Sequence, residues 1–233
     1  MDTKTKIKLV EAGTHLPVME EFYSLQGEGY NTGKAAYFIR IGGCDIGCHW
    51  CDVKESWDAE KHLIVDVDSI VQNVLNIKAN AVVITGGEPT QYNLLLLTQK
   101  LKAHQISIFI ETSGAYPIKG EFDWICLSPK KKQRPLLENL LKANELKVIV
   151  YNHHDFVFAE EMRQYVSAHC HLFLQPEWSK KDELLPKIIE YIQAHTEWRL
   201  SIQTHKYIHI HLFLLKFDFH YNLLMFYLMI VDL

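Results

Sequence analysis

The chain has 233 residues, of which 48% are hydrophobic and 22% charged, with a formal net charge of −4 and a pI near 6.3. This length and composition predict one domain around a sizeable core. The acidic balance argues against a general nucleic-acid or membrane surface, so a small-molecule substrate is the better expectation. Residues 1–6 lack the pattern of a signal peptide, and we expect a cytoplasmic protein.

Two early segments have the composition of β-strands. Residues 18–24 lead into the sequence L-Q-G-E-G at 25–29, which is either an ordinary turn or a backbone bend round a ligand. Residues 36–41 are aromatic and β-branched and lead into a cysteine-rich loop. Arg40, near the end of this second strand, is either a surface charge or a partner for a carboxylate in a pocket.

The cysteine-rich loop contains Cys44, Cys48 and Cys51, with the spacing C-x3-C-x2-C. A cubane iron–sulfur cluster is usually held by four thiolates, so three thiolates without a fourth leave one iron open for chemistry. Structural zinc needs four closed ligands, and His49 would have to be the fourth. A disulfide pair is a weaker alternative, because disulfides are typical of secreted proteins. The spacing therefore favours an iron–sulfur cluster.

The remaining chain alternates between apolar strands and helices. The predicted strands are 81–84, 106–110, 124–127, 145–150, 171–174 and 198–202, and the predicted helices are 68–77, 92–104, 136–143, 155–167 and 182–195. This alternation predicts an α/β fold, a partial (β/α) barrel of parallel strands in a single domain. Polar motifs follow the strands, so we expect the site at their carboxyl ends. Cys126 and Cys170 are predicted core residues, and His205 is the one histidine expected to face the pocket.

Several short motifs occur here in one order. They are F-Y-S-L-Q-G-E-G at 22–29, the three-cysteine loop with Trp50 and Asp52, T-G-G-E-P at 85–89, E-T-S-G at 111–114, S-P-K at 128–130 and Q-T-H-K at 203–206. The cysteine loop and the G-G-E-P element resemble those of radical S-adenosylmethionine (SAM) enzymes. The ordered set, which runs from about residue 18 to residue 206, resembles the 7-carboxy-7-deazaguanine synthase family.

This resemblance implies a homodimeric radical SAM enzyme of queuosine and 7-deazapurine biosynthesis. Its reaction converts 6-carboxy-5,6,7,8-tetrahydropterin to 7-carboxy-7-deazaguanine with loss of ammonia. A [4Fe–4S] cluster and SAM are the implied cofactors, and a 5′-deoxyadenosyl radical takes a hydrogen from the substrate carbon that bears the carboxylate. We expect a flavodoxin or ferredoxin-type protein as electron donor, and neither nucleic acid nor a membrane as a partner.

The resemblance also assigns roles by position in the motifs. The cluster ligands are Cys44, Cys48 and Cys51. The candidates for SAM are Trp50, Gly87, Glu88, Ser113, Ser128, Lys130 and Gln175. The candidates for substrate are Leu25, Gln26, Gly27, Arg40, Thr85 and His205, with Arg40 as the natural partner of the substrate carboxylate.

Two features depart from the family pattern. Val53 stands where the family commonly has a threonine that resembles a Mg²⁺ ligand, so this position offers a cation no side-chain oxygen, although backbone, substrate or water oxygens can still coordinate one. Residues 210–233 continue past the point where relatives stop, at about residue 208. They are apolar but interrupted by Lys216, Asp218 and His220, and the last unbroken apolar run is too short for a membrane helix. We expect a radical SAM domain at 1–209 and an atypical hydrophobic extension at 210–233.

Two other functions remain open at this point. A radical SAM activase that installs a glycyl radical on a partner protein has a similar cysteine loop, although L-Q-G-E-G and Arg40 favour a small acidic substrate. A non-catalytic iron–sulfur or zinc module is the other alternative.

Overall fold

The computed structural model describes residues 2–210, and within this range the chain forms one mixed sheet flanked by helices. The strands are β1 (His15–Leu25), β2 (Ala35–Ile41), β3 (Leu63–Asp66), β4 (Ala81–Gly86), β5 (Ser107–Thr112), β6 (Trp124–Leu127), β7 (Glu145–Val150), β8 (His171–Pro176) and β9 (Trp198–Leu200). The α-helices are α1 (Thr3–Glu11), α2 (Val67–Ile77), α3 (Leu95–Ala103), α4 (Leu137–Lys142), α5 (His154–Arg163), α6 (Lys181–Ala194) and α7 (Thr204–Tyr207).

The strand order in the sheet is β3-β1-β2-β4-β5-β6-β7-β8-β9. From β2 through β4 to β9 every neighbouring pair is parallel, whereas β1 is antiparallel to both β2 and β3. The predicted α/β fold with its parallel strands is confirmed, and the structure adds an antiparallel edge to it.

The core lies between the parallel strands and the helices. Ile84 and Ile110 share one buried cluster with Val74 of α2 and Leu97 of α3, all 0% exposed. A second cluster joins β7 and β8 to α5 and α6. Burial of one such aliphatic side chain contributes about 1.5–3 kcal/mol, so these two clusters hold the helices on the sheet.

Helix α2 begins at Val67, one residue before the predicted helix at 68–77. The N-cap is Asp66, whose side chain accepts from the Ser69 backbone N–H at 2.9 Å and from the Ser69 hydroxyl at 2.6 Å. Asp68 lies in the first turn, where a negative charge is favourable beside the helix dipole. The helix begins earlier because β3 runs directly into it.

The sequence did not predict α1, β3 or α7. Helix α1 has no buried residue, and Leu63, the first residue of β3, is 78% exposed. Helix α7 has four residues. These elements lack the apolar periodicity on which such a prediction depends.

One polar segment does not lie where the sequence predicted it. Because β1 is antiparallel to β2, the loop at 26–34 lies at the amino end of β2 and not at the carboxyl edge of the parallel strands. The backbone N–H of Thr204 donates to the Gly27 carbonyl at 2.9 Å, and that of Gly29 donates to the Ser201 hydroxyl at 3.0 Å. The loop after the first strand therefore contacts the segment after the last strand. The sheet curls into a partial barrel, and this loop closes it at the amino ends of the parallel strands.

Cys126 and Cys170 are 2% and 9% exposed, which confirms them as core residues. None of the helices within residues 2–210 has the length and apolarity that a membrane crossing needs. The predicted extension at 210–233 lies outside the described residues, except for Ile210.

Candidate active site

A cavity of about 570 Å³ lies on the inner side of the curled sheet and opens at the carboxyl edge of the parallel strands. It contains nearly all the side chains that the sequence predicted as a site. Its lining includes Gln26, Arg40, Cys44, Cys48, Trp50, Cys51, Val53, Thr85, Gly87, Glu88, Ser113, Ser128, Lys130, Gln175 and His205. Leu25 and Gly27 do not line it.

Backbone hydrogen bonds hold the cysteine loop at the mouth of the cavity. The Cys44 backbone N–H donates to the Trp57 carbonyl at 3.0 Å, and the Glu88 N–H donates to the Gly43 carbonyl at 2.8 Å. The loop is thus fixed between the turn that follows it and the G-G-E-P element. Its side chains take no part in these contacts.

Gly87 is required by the close approach of two backbones. A Cβ atom at this position would lie 2.2 Å from the Gly43 carbonyl oxygen and 2.9 Å from the Cys44 Cβ. Real Cβ atoms essentially never approach other atoms so closely. The second glycine of G-G-E-P therefore shapes the cysteine loop as well as the cavity wall.

The three cysteines suit an iron–sulfur cluster. All three are free thiols, partly exposed and facing one cavity. Within residues 2–210 no three His, Cys, Asp or Glu side chains come close enough together for a single metal ion, whereas a four-iron cluster spaces its thiolates further apart. Burial raises the pKa of the Cys44 and Cys48 thiols, so bound iron would be needed to hold them as thiolates.

Glu88 links the two motifs that follow β4 and β5. Its carboxylate is 1% exposed and accepts from the Thr90 backbone N–H at 3.1 Å, the Thr90 hydroxyl at 2.6 Å and the Ser113 backbone N–H at 2.8 Å. The Thr112 and Ser113 hydroxyls also donate to it. G-G-E-P and E-T-S-G therefore form one hydrogen-bonded unit on the cavity wall.

Lys130 reaches the cavity beside the cysteine loop. Its Nζ donates to the backbone carbonyl and to the hydroxyl of Ser128, both at 2.7 Å, and lies 5.3 Å from the centre of the Trp50 ring. Burial lowers the pKa of Lys130. The S-P-K motif thus places a cation and a hydroxyl against the aromatic residue of the loop.

Arg40 is a buried cavity residue, so the alternative of a surface charge is wrong. Its side chain is 9% exposed, and its Nε donates to Glu20 Oε1 at 2.6 Å. The guanidinium lies 5.9 Å from the Phe22 ring centre. The two outer nitrogens have no hydrogen bond to the described residues, which leaves the face that binds carboxylates available.

The floor of the cavity carries a cluster of charges. Lys147 Nζ donates to Glu28 Oε2 at 2.7 Å and to Glu111 Oε2 at 2.9 Å. Gln26 Nε2 donates to Glu111 Oε1 at 3.0 Å, and Gln203 Nε2 donates to Glu28 Oε1 at 2.8 Å. Burial raises the pKa of Glu28, but Lys147 outweighs it and lowers that pKa to about 2. Burial likewise opposes the Lys147 ammonium, yet the surrounding acidic groups raise its pKa.

His205 stands at the lower wall, packed on Gly27. A Cβ atom on Gly27 would lie 2.2 Å from His205 Nδ1, so this glycine makes room for the ring. Burial lowers the pKa of His205, which keeps the ring neutral near pH 7. The prediction that His205 alone among the histidines faces the pocket is wrong, because His209, just after α7, also lines it.

Comparison with known proteins decides the family. The model of the radical SAM superfamily matches residues 38–153. A 7-carboxy-7-deazaguanine synthase from Flavobacterium psychrophilum is 57% identical over 201 residues, which cover 86% of this chain and 95% of that protein. One from Escherichia coli is 37% identical over 221 residues, and this match covers 83% of this chain and 98% of that protein. The chain belongs to the 7-carboxy-7-deazaguanine synthase family.

A solved structure agrees with this assignment. The crystal structure of QueE from Escherichia coli superposes with a TM-score of 0.74 at 32% identity, over 88% of this chain and 100% of that one. As a member of the 7-carboxy-7-deazaguanine synthase family, the chain is a radical SAM enzyme that acts on a small molecule. The cavity with its three cysteines is its candidate active site.

The sequence analysis assigned no role in this site to Glu20, Glu111 or Lys147. Each is a charged residue within a strand, and Glu20 and Lys147 are buried there. A charge within a strand that also carries apolar core residues was the available signal. It could not show which charges meet, because Lys147 and Glu111 are 36 residues apart.

Proposed function

We propose that this chain converts 6-carboxy-5,6,7,8-tetrahydropterin to 7-carboxy-7-deazaguanine with loss of ammonia. Family membership supports the reaction. The observation that carries it is one cavity with three free cysteines at its mouth and a buried arginine, Arg40, on its wall. A small carboxylic acid bound to Arg40 would lie beneath the cysteines, where radical chemistry begins.

We propose Cys44, Cys48 and Cys51 as the ligands of a [4Fe–4S] cluster. When bound, the cluster and SAM together supply a hydrogen-abstracting 5′-deoxyadenosyl radical. The proposed SAM residues are Trp50, Gly87, Glu88, Ser113, Ser128, Lys130 and Gln175. Lys130 supports this role because its ammonium suits the SAM carboxylate and lies against the cysteine loop.

The proposed substrate residues hold the acid in place. The pairing of Arg40 with Glu20 fixes the guanidinium and leaves its outer nitrogens for the substrate carboxylate. Thr85 is the strand partner of Arg40 in the β2–β4 register. Neutral His205 offers a ring nitrogen from below, and Gln26, Gly27 and Leu25 shape the loop that closes the floor.

Magnesium, the dimer and the electron donor belong to the proposal as well. The Val53 side chain has no oxygen, and its carbonyl already accepts from the Ser56 N–H and hydroxyl at 3.1 and 2.7 Å. We infer that any Mg²⁺ is held by other oxygens, those of substrate or water included. A homodimer and a flavodoxin or ferredoxin-type donor follow from the family resemblance, and sedimentation and reduction assays test them.

The division of the chain into a radical SAM domain at 1–209 and an extension at 210–233 also remains a proposal. We expect a chain that ends at His209 to keep its turnover and to gain solubility, because the family resemblance stops near residue 208. Turnover and soluble yield of the two lengths measure this. A shortened chain that folds but has lost its turnover would contradict the expectation.

The test of the reaction is anaerobic reconstitution followed by incubation with the carboxypterin, SAM and a reductant. The expected result is a deazapurine product without net consumption of SAM. The C48A variant is the matched control for cluster-dependent chemistry. Cleavage of SAM without a deazapurine would count against this reaction and favour the activase alternative, and no cleavage at all would favour a non-catalytic module.

A further inference from the structure

Glu145 lies inside the curled sheet, at the amino ends of the parallel strands. It is the first residue of β7, and Leu146, Val148 and Val150 pack outward against the helices. Glu145 and Lys147 therefore point to the interior, because alternate residues of a strand share a face. Glu145 is 2% exposed. An acidic group is thus buried between the cavity floor and the amino end of the sheet.

The two carboxyl oxygens of Glu145 have different surroundings. Oε2 accepts from the Trp124 indole N–H at 3.0 Å and from the Tyr30 backbone N–H at 3.2 Å. Oε1 is buried and has no hydrogen-bond partner among the described residues. A Cβ atom on Gly29 would lie 1.9 Å from Oε1, so Gly29 packs against this oxygen. These surroundings suit a protonated carboxyl, because a buried anion without donors on one oxygen is far more costly than the neutral acid.

Lys147 is the ammonium that shares this interior with Glu145, but its short contacts go elsewhere. Its Nζ donates to Glu28 Oε2 at 2.7 Å and to Glu111 Oε2 at 2.9 Å. Burial raises the pKa of Glu145, Lys147 opposes this effect, and the Glu111 charge adds to it. Two carboxylates already outnumber the one ammonium, so the interior is closest to neutral when Glu145 holds a proton.

The thiols and the imidazole beside Glu145 are neutral near pH 7. Burial raises the pKa of the Cys126 thiol on β6 well above its ordinary value, and that of Cys170, just before β8, to about 12. Burial, together with Arg199 on β9, lowers the pKa of His171 on β8. None of these three groups offers Glu145 a positive charge.

The loop after β1 rests on this buried carboxyl. Its Tyr30 ring covers the amino end of the interior and stacks on the rings of Trp124 and His171, with 4.6 and 4.4 Å between ring centres. The same loop carries Gln26 and Glu28, which line the cavity. A change that displaces Tyr30 therefore also displaces two side chains of the cavity floor.

We propose that Glu145 is a positioning residue of the substrate site: as a neutral acid it holds the loop after β1 against the sheet, and it releases this loop when it loses its proton. An anion at Glu145 would face the floor carboxylates without a cation of its own, so ionisation favours an arrangement that admits water. Substrate affinity then depends on a proton that does not touch the substrate. For the identity of that substrate, this inference rests on the proposed function.

The first test detects the proton on the reconstituted enzyme. Infrared difference spectra recorded over a pH series should contain the carbonyl band of a protonated carboxyl that persists above pH 4.5, the ordinary pKa of a glutamic acid. The band should be missing from E145Q and present in E190Q, the matched control, because Glu190 is exposed on α6. A spectrum of E145Q that keeps the wild-type band would overturn the inference.

The second test measures the affinity for 6-carboxytetrahydropterin of the enzyme loaded with SAM and kept without reductant. Above the folded-state pKa of Glu145, the dissociation constant of the wild type should rise relative to that of E145Q by up to about tenfold per pH unit. E190Q should follow the wild type. The comparison between variants cancels the titration of the ligand and of other groups in the site. In turnover, KM should change more than kcat, because the loop positions the substrate.

The outcomes separate this inference from the proposed function. A parallel pH dependence of affinity in the wild type and E145Q overturns the inference while deazapurine formation still stands. An E145Q protein that does not fold also overturns it, because the amide has the shape and charge of the neutral acid. A wild-type protein that neither binds nor converts the pterin overturns both.

Discussion

The mouth and the floor of the cavity are held together by different forces. At the mouth, neutral backbone hydrogen bonds and one close glycine contact position the cysteine loop. On the floor, the geometry depends on a buried ammonium between two carboxylates. The mouth therefore tolerates little change in backbone shape, whereas the floor tolerates little change in charge.

This difference has a chemical reason. A cluster needs cysteines that are free to bind it, so the loop must be held through its other groups, which here include the Asp45 and Asp52 side chains. Substrate recognition needs oriented polar groups, and buried charges keep their orientation only when each is paired. Each region therefore has its own most damaging substitution.

Loss of one cysteine should have the largest effect. C48A leaves two thiolates in the loop, which is too few to keep a cluster with one open iron, so we expect loss of the cluster and of essentially all SAM cleavage. Iron content and SAM cleavage measure this. C170A, a change at a buried cysteine outside the site, is the control and should keep its cluster; a C48A protein with normal iron content would disprove the ligand assignment.

A change at the backbone contact should come next. G87A places a methyl group 2.2 Å from the Gly43 carbonyl oxygen, and such overpacking should cost about 3 kcal/mol and displace the cysteine loop. Anaerobic urea unfolding and iron content measure both effects. G33A is the control: Gly33 has positive φ, at 88°, but no atom lies within 4 Å of the added Cβ, so it should cost about 1 kcal/mol. Equal costs for the two variants would contradict the contact.

Removal of the floor ammonium should have a comparable cost that depends on pH. K147M leaves the Glu28 and Glu111 carboxylates, whose side chains are 19% and 21% exposed, without their shared cation, a loss of about 3 kcal/mol near neutral pH. The folded-state pKa of Glu28, about 2, lies below its ordinary value of 4.5. Its stabilising contribution is therefore complete above pH 4.5 and is lost as the pH falls towards 2.

The acid-unfolding midpoint should accordingly rise in K147M, since without the ammonium Glu28 takes up its proton at a higher pH. The free energy of unfolding, measured from acid to neutral pH, gives both quantities. K187M is the control, because Lys187 pairs with Glu183 on the surface of α6 and such pairs contribute little. An unchanged midpoint in K147M would show that Lys147 does not set the pKa of Glu28.

The same difference explains what could be predicted from sequence. The mouth consists of contiguous motifs, so the resemblance that these motifs carry could predict roles for Cys44, Gly87 and Lys130. On the floor, Glu111 stands in a predicted motif, but its partner Lys147 lies 36 residues later inside a strand. The contact exists only because neighbouring strand pairs keep a parallel register, and nothing local encodes that.

The same contrast between local patterns and distant contacts applies to the fold. A buried strand such as β4 was predicted because a continuous apolar run is typical of parallel strands. The position of the 26–34 loop was not, because it depends on the antiparallel direction of β1, which composition does not specify. The sequence therefore did not show that Gln26 and Glu28 reach the cavity floor from the amino ends of the parallel strands.

The smallest effect is expected at the boundary between the two regions, where Val53 lines the cavity next to the cysteine loop. V53T is nearly isosteric and adds one hydroxyl, so it should leave the fold and the cluster unchanged. If a hard cation binds here through substrate or water oxygens, this hydroxyl adds a ligand, and stimulation of turnover by Mg²⁺ should increase by about two- to tenfold, as one added hydrogen-bond-scale interaction allows. Turnover against Mg²⁺ concentration measures this. V53A, which adds no oxygen, is the control. Equal Mg²⁺ dependence in V53T and V53A would place the cation away from residue 53.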